Sequence, residues 1–350
     1  MTTFVPTTWA WVGQPGAWWG ATGLSSGWTI VGARAPIRKT AAPFRAVANT
    51  AEIPVNAEVA IAQAGTANDL LGVDNMTILN SGQILIDAGS TTTGHATWFI
   101  NSQFTGDTVA LSYDTSNIGT GSQPGQVLMT DNANNTIDLN FGASNAILLN
   151  ANNTILGAGT ITGNGGPELI NGQDGNGVQA VIAATGVNAL NVSIQFITND
   201  GVMESINPYG HQTLGGLVIN GNVDQTRSVA FTDVPTGAPT GIIKADGAGT
   251  HVDLVNGEVS GGTVEGVNDG YVQVVGDFNF DGSQNDGNGN LAPVTLAGDV
   301  RIVDSISRVK GRYARSRYPS DGQDQRFGNL ARRHDDVYGP RRRPSRRLAQ

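Results

Sequence analysis

The sequence predicts an all-β chain built from many short stacked strands, on three observations. No lysine or arginine occurs between Arg45 and Arg227, whereas a helical domain of that length would place Lys, Arg and Glu on its solvent faces. Short apolar runs are closed again and again by Asn, Gly or Asp: Met76-Thr77-Ile78-Leu79 before Asn80, Ile84-Leu85-Ile86 before Asp87, Ala146-Ile147-Leu148-Leu149 before Asn150, Leu217-Val218-Ile219 before Asn220-Gly221. Each run suits a strand and each closure a turn. Finally, short sequences recur. Asn134-Asn135-Thr136-Ile137 returns as Asn152-Asn153-Thr154-Ile155.

Two further absences narrow the architecture. Few runs are joined by the two-residue Asn-Gly or Asp-Gly loops of a hairpin ladder. Amphipathic stretches long enough for crossover helices are also missing. A self-similar step of about twenty residues marks a solenoid, in which each coil buries its apolar side against its neighbours. Some 250 residues at that step would give about a dozen coils and a rod near ~60 Å. Stacking would set Asn beneath Asn at the bends, where side-chain amides can hydrogen-bond along the stack.

Composition divides the chain into three parts. Residues 1–50 form a Trp-rich cap and linker: five of the six tryptophans (Trp9, Trp11, Trp18, Trp19, Trp28) precede Arg34, Pro36, Arg38, Lys39 and Pro43. Their indoles suit a cover for an open hydrophobic end better than a sugar-stacking platform. Residues 51–304 are the expected rod. Residues 305–350, rich in Arg with Pro, Ser and Gly, lose apolar periodicity and are expected to be disordered.

Charge follows the same division. Residues 1–45 carry +4, residues 46–300 carry −22 (24 acidic, two basic) and residues 301–350 carry +9, which together give the net −9. So acidic a middle repels nucleic acid and anionic membranes and attracts divalent cations. The basic tail has three readings: an arm for polyanions, a tether to the acidic rod, or the product of GC-rich DNA read out of frame. The last makes the chain a fragment or frameshifted product without independent function.

Cysteine is absent, which excludes a disulfide framework and any Cys-ligated metal. No apolar run is long enough to span a bilayer as a helix. The first thirty residues do not read as a signal peptide, since Pro6, Thr7 and Thr8 interrupt the apolar stretch and no basic segment precedes it.

The stretch 130–275, with Asn-Asn-Thr-Ile-x-Gly-x-Gly-Thr-Ile-x-Gly from Asn152 and Leu169-Ile170-Asn171-Gly172, resembles the right-handed parallel β-helices of bacterial secreted surface proteins. These include autotransporter passengers and filamentous-haemagglutinin-like adhesins. The resemblance implies a secreted or cell-surface rod, adhesive or structural, that contacts carbohydrate or a neighbouring cell and carries no chemistry of its own.

Two constellations could still carry chemistry. Asp277-Phe278-Asn279-Phe280-Asp281-Gly282-Ser283-Gln284-Asn285-Asp286-Gly287-Asn288 follows a calcium-loop pattern, with Asp277, Asn279, Asp281, Ser283, Asn285 and Asn288 as oxygen donors. Its Asp-x-Asn-x-Asp-Gly core resembles the loops of dockerin-type repeats. Asn288 stands where a bidentate acid is usual, so calcium binding would be weak, in the ~10⁻⁴–10⁻³ M range. The rival is a polysaccharide hydrolase or lyase. Asp200, Glu204 and His211 loosely resemble the acidic and histidine motifs of polygalacturonases, without their Asp-Asp pair or Arg-x-Lys. A non-enzymatic rod is the preferred reading.

Overall fold

Ile84, Val127, Ile155, Ile182, Met203, Ile243 and Val264 lie one above another, each in register with the next on a neighbouring parallel strand and each buried. The computed structural model describes residues 61, 77–90, 93–100, 108–113, 124–139, 146–172, 178–211, 213–226, 241–286 and 289–302 in full, and some flanking strands by backbone alone.

Met1–Ser316 forms one unit, and within it the strands wind as a parallel β-helix with three faces. The first face is a 12-stranded sheet. It includes Gln83–Asp87, Gln126–Met129, Thr154–Gly157, Val181–Ala184, Val202–Ile206, Ile242–Asp246, Thr263–Val267 and Val294–Gly298. Among its assigned pairings only Trp28–Ile30 against Thr7–Trp11 is antiparallel. The eleven strands other than Trp28–Ile30, at ~4.8 Å spacing, give a parallel stack about 50 Å long.

The second and third faces share the other sheet, because several strands run through the corner between them. Leu190–Asn199 is one such strand: Leu190 to Ser193 pairs on the second face and Phe196 to Asn199 on the third. Register shifts mark that corner, between Ser193 and Phe196 and again between Ile219 and Asn222. Glycine is required there: a Cβ on Gly221 would lie 1.9 Å from the Ile194 carbonyl oxygen, and one on Gly257 2.0 Å from that of Gly221.

Both faces carry their own apolar columns. Trp98, Ile137, Ile161, Val192, Ile219, Leu254 and Val274 stack on the second. Val109, Leu148, Leu169, Ile197, Val223, Val259 and Phe280 stack on the third. All are essentially water-free. Alternation within each strand turns every second residue inward, as the iBiB burial of Ile147–Asn150 and Thr154–Gly157 shows, with Leu148, Asn150 and Ile155 inside and Ile147, Leu149 and Leu156 half-exposed.

Polar columns continue the logic inside. Asn150 Nδ2 donates to Asn171 Oδ1 at 3.1 Å, Asn171 Nδ2 to Asn199 Oδ1 at 2.9 Å, and Asn199 Nδ2 to the Ile242 carbonyl at 3.2 Å. Further along, Asn80 Nδ2 donates to Asn153 Oδ1 at 2.9 Å, and the Asn153 N–H to Asn150 Oδ1 at 3.0 Å. These asparagines have no solvent exposure. Burial of an amide costs unless it is paired, and the stack supplies the pairing.

The expected twenty-residue step is corrected. In-register positions on the first face fall at Gln83, Gln126, Thr154, Val181, Val202, Ile242, Thr263 and Thr295, so coils span 21 to 43 residues. Nor is the Asn-Asn-Thr-Ile echo a coil apart. Thr136 is in register with Thr160 on the second face and Thr154 with Val181 on the first. The same four residues open strands at two different corners: buried Asn135 bonds the Ala88 N–H and the Thr130 carbonyl, whereas buried Asn153 bonds the side chains of Asn80 and Asn152.

Backbone pairing runs past residue 304: Arg308–Gly311 pairs with Tyr271–Gly282, and Tyr313–Arg315 with Val294–Gly298. The remainder of the basic tail lies outside the described residues. So do the side chains of the five N-terminal tryptophans, although the backbone of Thr7–Trp11 pairs in parallel with Ala57–Ala62.

Candidate functional site

The three residues expected for catalysis have separate surroundings. Asp200 belongs to the Asn199-Asp200-Gly201 corner; it is 0% exposed, and its N–H donates to the Asn171 carbonyl at 2.8 Å. Glu204 points outward from Val202–Ile206, in register with Lys244. Its Oε2 is 3.0 Å from Lys244 Nζ, which also lies 3.4 Å from Asp246 Oδ2. Partial burial lowers the pKa of Lys244, but hydrogen bonds and charge from Glu204 and Asp246 outweigh it and hold the ammonium above its ordinary value. His211 sits in a turn closed by Asn207, whose Nδ2 donates to the His211 carbonyl at 2.8 Å and whose Oδ1 accepts the His211 N–H at 2.8 Å.

Of the expected calcium ligands, Asp277, Asn279 and Asp281 lie on the extended strand Tyr271–Gly282. Phe278 and Phe280 point into the core between them. Alternate residues of a strand are roughly 6.5–7 Å apart. The Asp281 carboxylate accepts from the Ser283 N–H at 2.9 Å and from Gln284 Nε2 at 3.3 Å, and also from the Ser283 hydroxyl. Ser283 and Asn285 are exposed; Asn288 lies outside the described residues. Among the described residues, no three His, Asp or Glu side chains converge in a way that could hold a metal.

A concavity lies elsewhere, on the outer side of the third face. An open groove of about 590 Å³ is lined by Glu168, Phe196, Thr198, Asn222, Asp224 and Glu258 along with their neighbours. Its floor is a grid set by strand register. One outward column runs Glu168, Phe196, Asn222, Glu258 over four successive coils. A second, two residues along each strand, runs Thr198, Asp224, Ser260. Each step in either column is about 4.8 Å.

Phe196 is the chemical anomaly in this grid, because it is 47% exposed on a strand whose other apolar residues face inward. The bend between the second and third faces causes this: Gln195 and Phe196 both point out where the strand turns the corner. Around the ring, the acids are held by hydroxyls. Thr198 Oγ1 donates to Glu168 Oε1 at 3.0 Å, Ser260 Oγ to Glu258 Oε1 at 3.2 Å, and Thr226 Oγ1 to Asp224 Oδ1 at 2.6 Å. Among the described residues, no Lys, Arg or His lines the groove. An exposed ring set among carboxylates, hydroxyls and amides offers an apolar face together with hydrogen-bonding groups, the combination that a sugar ring requires.

Sequence reasoning missed this site. The signal was available in Gln195-Phe196, two consecutive residues that break the inward–outward alternation of Asn191 to Ile197, but the break could be placed only once the corner was known.

Comparison with known proteins gives no matching family model, no matching curated protein and no matching solved structure. Among the described residues no helix is long and apolar enough to cross a membrane. The groove is therefore read from its own geometry.

Proposed function

We propose that this parallel β-helix is a non-enzymatic, extracellular or cell-surface rod that holds an extended carbohydrate chain along its third face. The observation that carries the reading is Phe196, exposed in a groove whose polar rows repeat at the coil spacing. A linear polysaccharide has a repeat comparable in length to one coil rise of about 4.8 Å, so successive sugars can meet successive rows. An adhesive rod needs many such weak contacts and no bond-breaking step. Secretion and calcium-assisted adhesion belong to the same proposal; their support is the acidic, cysteine-free middle of the chain.

The test is retention on immobilised polysaccharides with Phe196→Ala as the comparison. Loss of ring stacking, about 1–1.5 kcal/mol, should weaken binding roughly tenfold. Unchanged binding by the variant, or no retention of the parent protein on any glycan, would overturn the reading.

A second reading has one observation in its favour. Asp224 and Glu258 sit on adjacent coils in diagonal positions, about 7–8 Å apart by strand geometry. That separation suits a pair of carboxylates acting across a glycosidic bond with a water between them. A polysaccharide hydrolase on this scaffold would use these two residues. Asp200 is buried and Glu204 is held by Lys244. Release of reducing ends by the parent protein, abolished in Asp224→Asn, would establish the enzymatic reading over the adhesive one.

A further inference from the structure

We propose that the groove selects a positively charged polysaccharide, a linear chain of amino sugars with free amines, over neutral and acidic glycans. This rests on the carbohydrate-binding reading above and adds the chemical class of the ligand.

The argument is one of charge complementarity around the exposed ring. Glu168 and Phe196 are in register on adjacent strands, and Glu258 lies two coils beyond Phe196 in the same outward column. A chain laid along that column would meet a carboxylate, an aromatic face, an amide and a second carboxylate in turn. Among the described residues of the lining none is basic, so a uronate would face like charge from Glu168, Asp224 and Glu258. Low-dielectric walls strengthen that repulsion and strengthen the attraction for a cation equally. The ring contributes in the same direction, because its face attracts ammonium groups as well as apolar sugar faces.

The far field agrees with the local one. Residues 46–300 carry a net −22, which would steer a polycation toward the rod and a polyanion away from it. The saccharide is favoured over a basic peptide by the lining itself. Thr198, Asn222, Ser260, Gln284 and Asn285 can donate hydrogen bonds to ring hydroxyls as well as accept from them.

The deciding experiment is calorimetric titration of the whole chain with three oligosaccharide sets of equal length. These are glucosamine oligomers with free amines, the same oligomers fully N-acetylated, and oligogalacturonates. Titrations are run at low and high salt, on the parent protein and on the Glu168→Gln/Glu258→Gln double variant, with circular dichroism melts confirming that the variant is folded. The amine form should bind at least tenfold more tightly than the acetylated form, lose most of that advantage in high salt, and lose it again in the double variant. Equal binding of amine and acetylated forms would overturn charge selection while leaving the carbohydrate groove intact. Binding of oligogalacturonate as tight as that of the amine form would overturn it as well. Failure of all three glycans, with an oligo-lysine peptide bound instead, would remove the carbohydrate reading along with this one.

Discussion

The side-chain amide of Asn150 donates to Oδ1 of Asn171, 21 residues along the chain and one coil away, with both residues fully buried. Asn171 in turn donates to Asn199, and also to the carbonyl of Val202 at 3.1 Å. One residue thus closes a corner and joins three successive coils.

Asn171→Ala should therefore be costly. It would leave a buried donor on Asn150 and buried acceptors on Asn199 and Val202 without their partner. At ~1–3 kcal/mol for an unsatisfied buried group, a loss of about 2–4 kcal/mol is expected in urea unfolding. A loss below about 1 kcal/mol would show that water replaces the ladder.

Gln225 gives the converse case. It follows Asn199 in the same corner column, is 0% exposed, and among the described residues neither its Oε1 nor its Nε2 has a hydrogen-bond partner. Replacing an unpaired buried amide by an apolar group of similar shape is neutral or stabilising. Gln225→Met should raise the urea midpoint or leave it unchanged, whereas Asn199→Leu should lower it. If both variants fall together, Gln225 has a partner in solution.

Asp131 links coils that are not adjacent. Its carboxylate accepts from the N–H groups of Val187 at 3.0 Å and Asn188 at 2.8 Å. Partial burial raises its pKa, but hydrogen bonds from the Asn188 and Val187 backbone and the Asn188 side chain, with the charge of His211, outweigh it. They hold the carboxyl below the ordinary 3.8. A depressed folded-state pKa means stability that is fully present above the unfolded value of about 3.9 and is lost as pH falls through the folded value. Asp131→Asn should flatten the acid limb of stability below about pH 4. An unchanged acid limb would assign that limb to other carboxylates.

Two glycines separate strain from collision. Gly157 has φ 124°, and a Cβ there would lie 1.6 Å from the Met129 carbonyl oxygen. Gly165 has φ 86° with nothing within 4 Å. Gly165→Ala should cost only the conformational strain, about 1 kcal/mol. Gly157→Ala must also move a strand of the neighbouring coil, so it should cost at least ~3 kcal/mol or prevent folding. Similar melting temperatures for the two variants would contradict the tight corner.

The build of the molecule was legible in residues because its causes are local. Ile147-Leu148-Leu149-Asn150 and Leu169-Ile170-Asn171 each read as a strand closed by a buried amide, and the coordinates bring the two into register. The coil length was not legible. Insertions at the corners leave the strands unchanged, so a step of 21 residues and one of 43 look alike until pairing is known. Asp200 and Glu204 looked like site residues because Asp and Glu in an Asn/Gly-rich turn are ambiguous. Burial of the first and the Lys244 pair of the second emerge only from stacking.

Sequence by itself determined the strand class, the asparagine corners and the acidic character of the rod. Each follows from side-chain chemistry acting within a few residues. Only the tertiary structure decided which carboxylates share a surface with Phe196. Glu168, Asp224 and Glu258 come from different coils, and the number of residues between coils is set by loop insertions that leave no periodic trace.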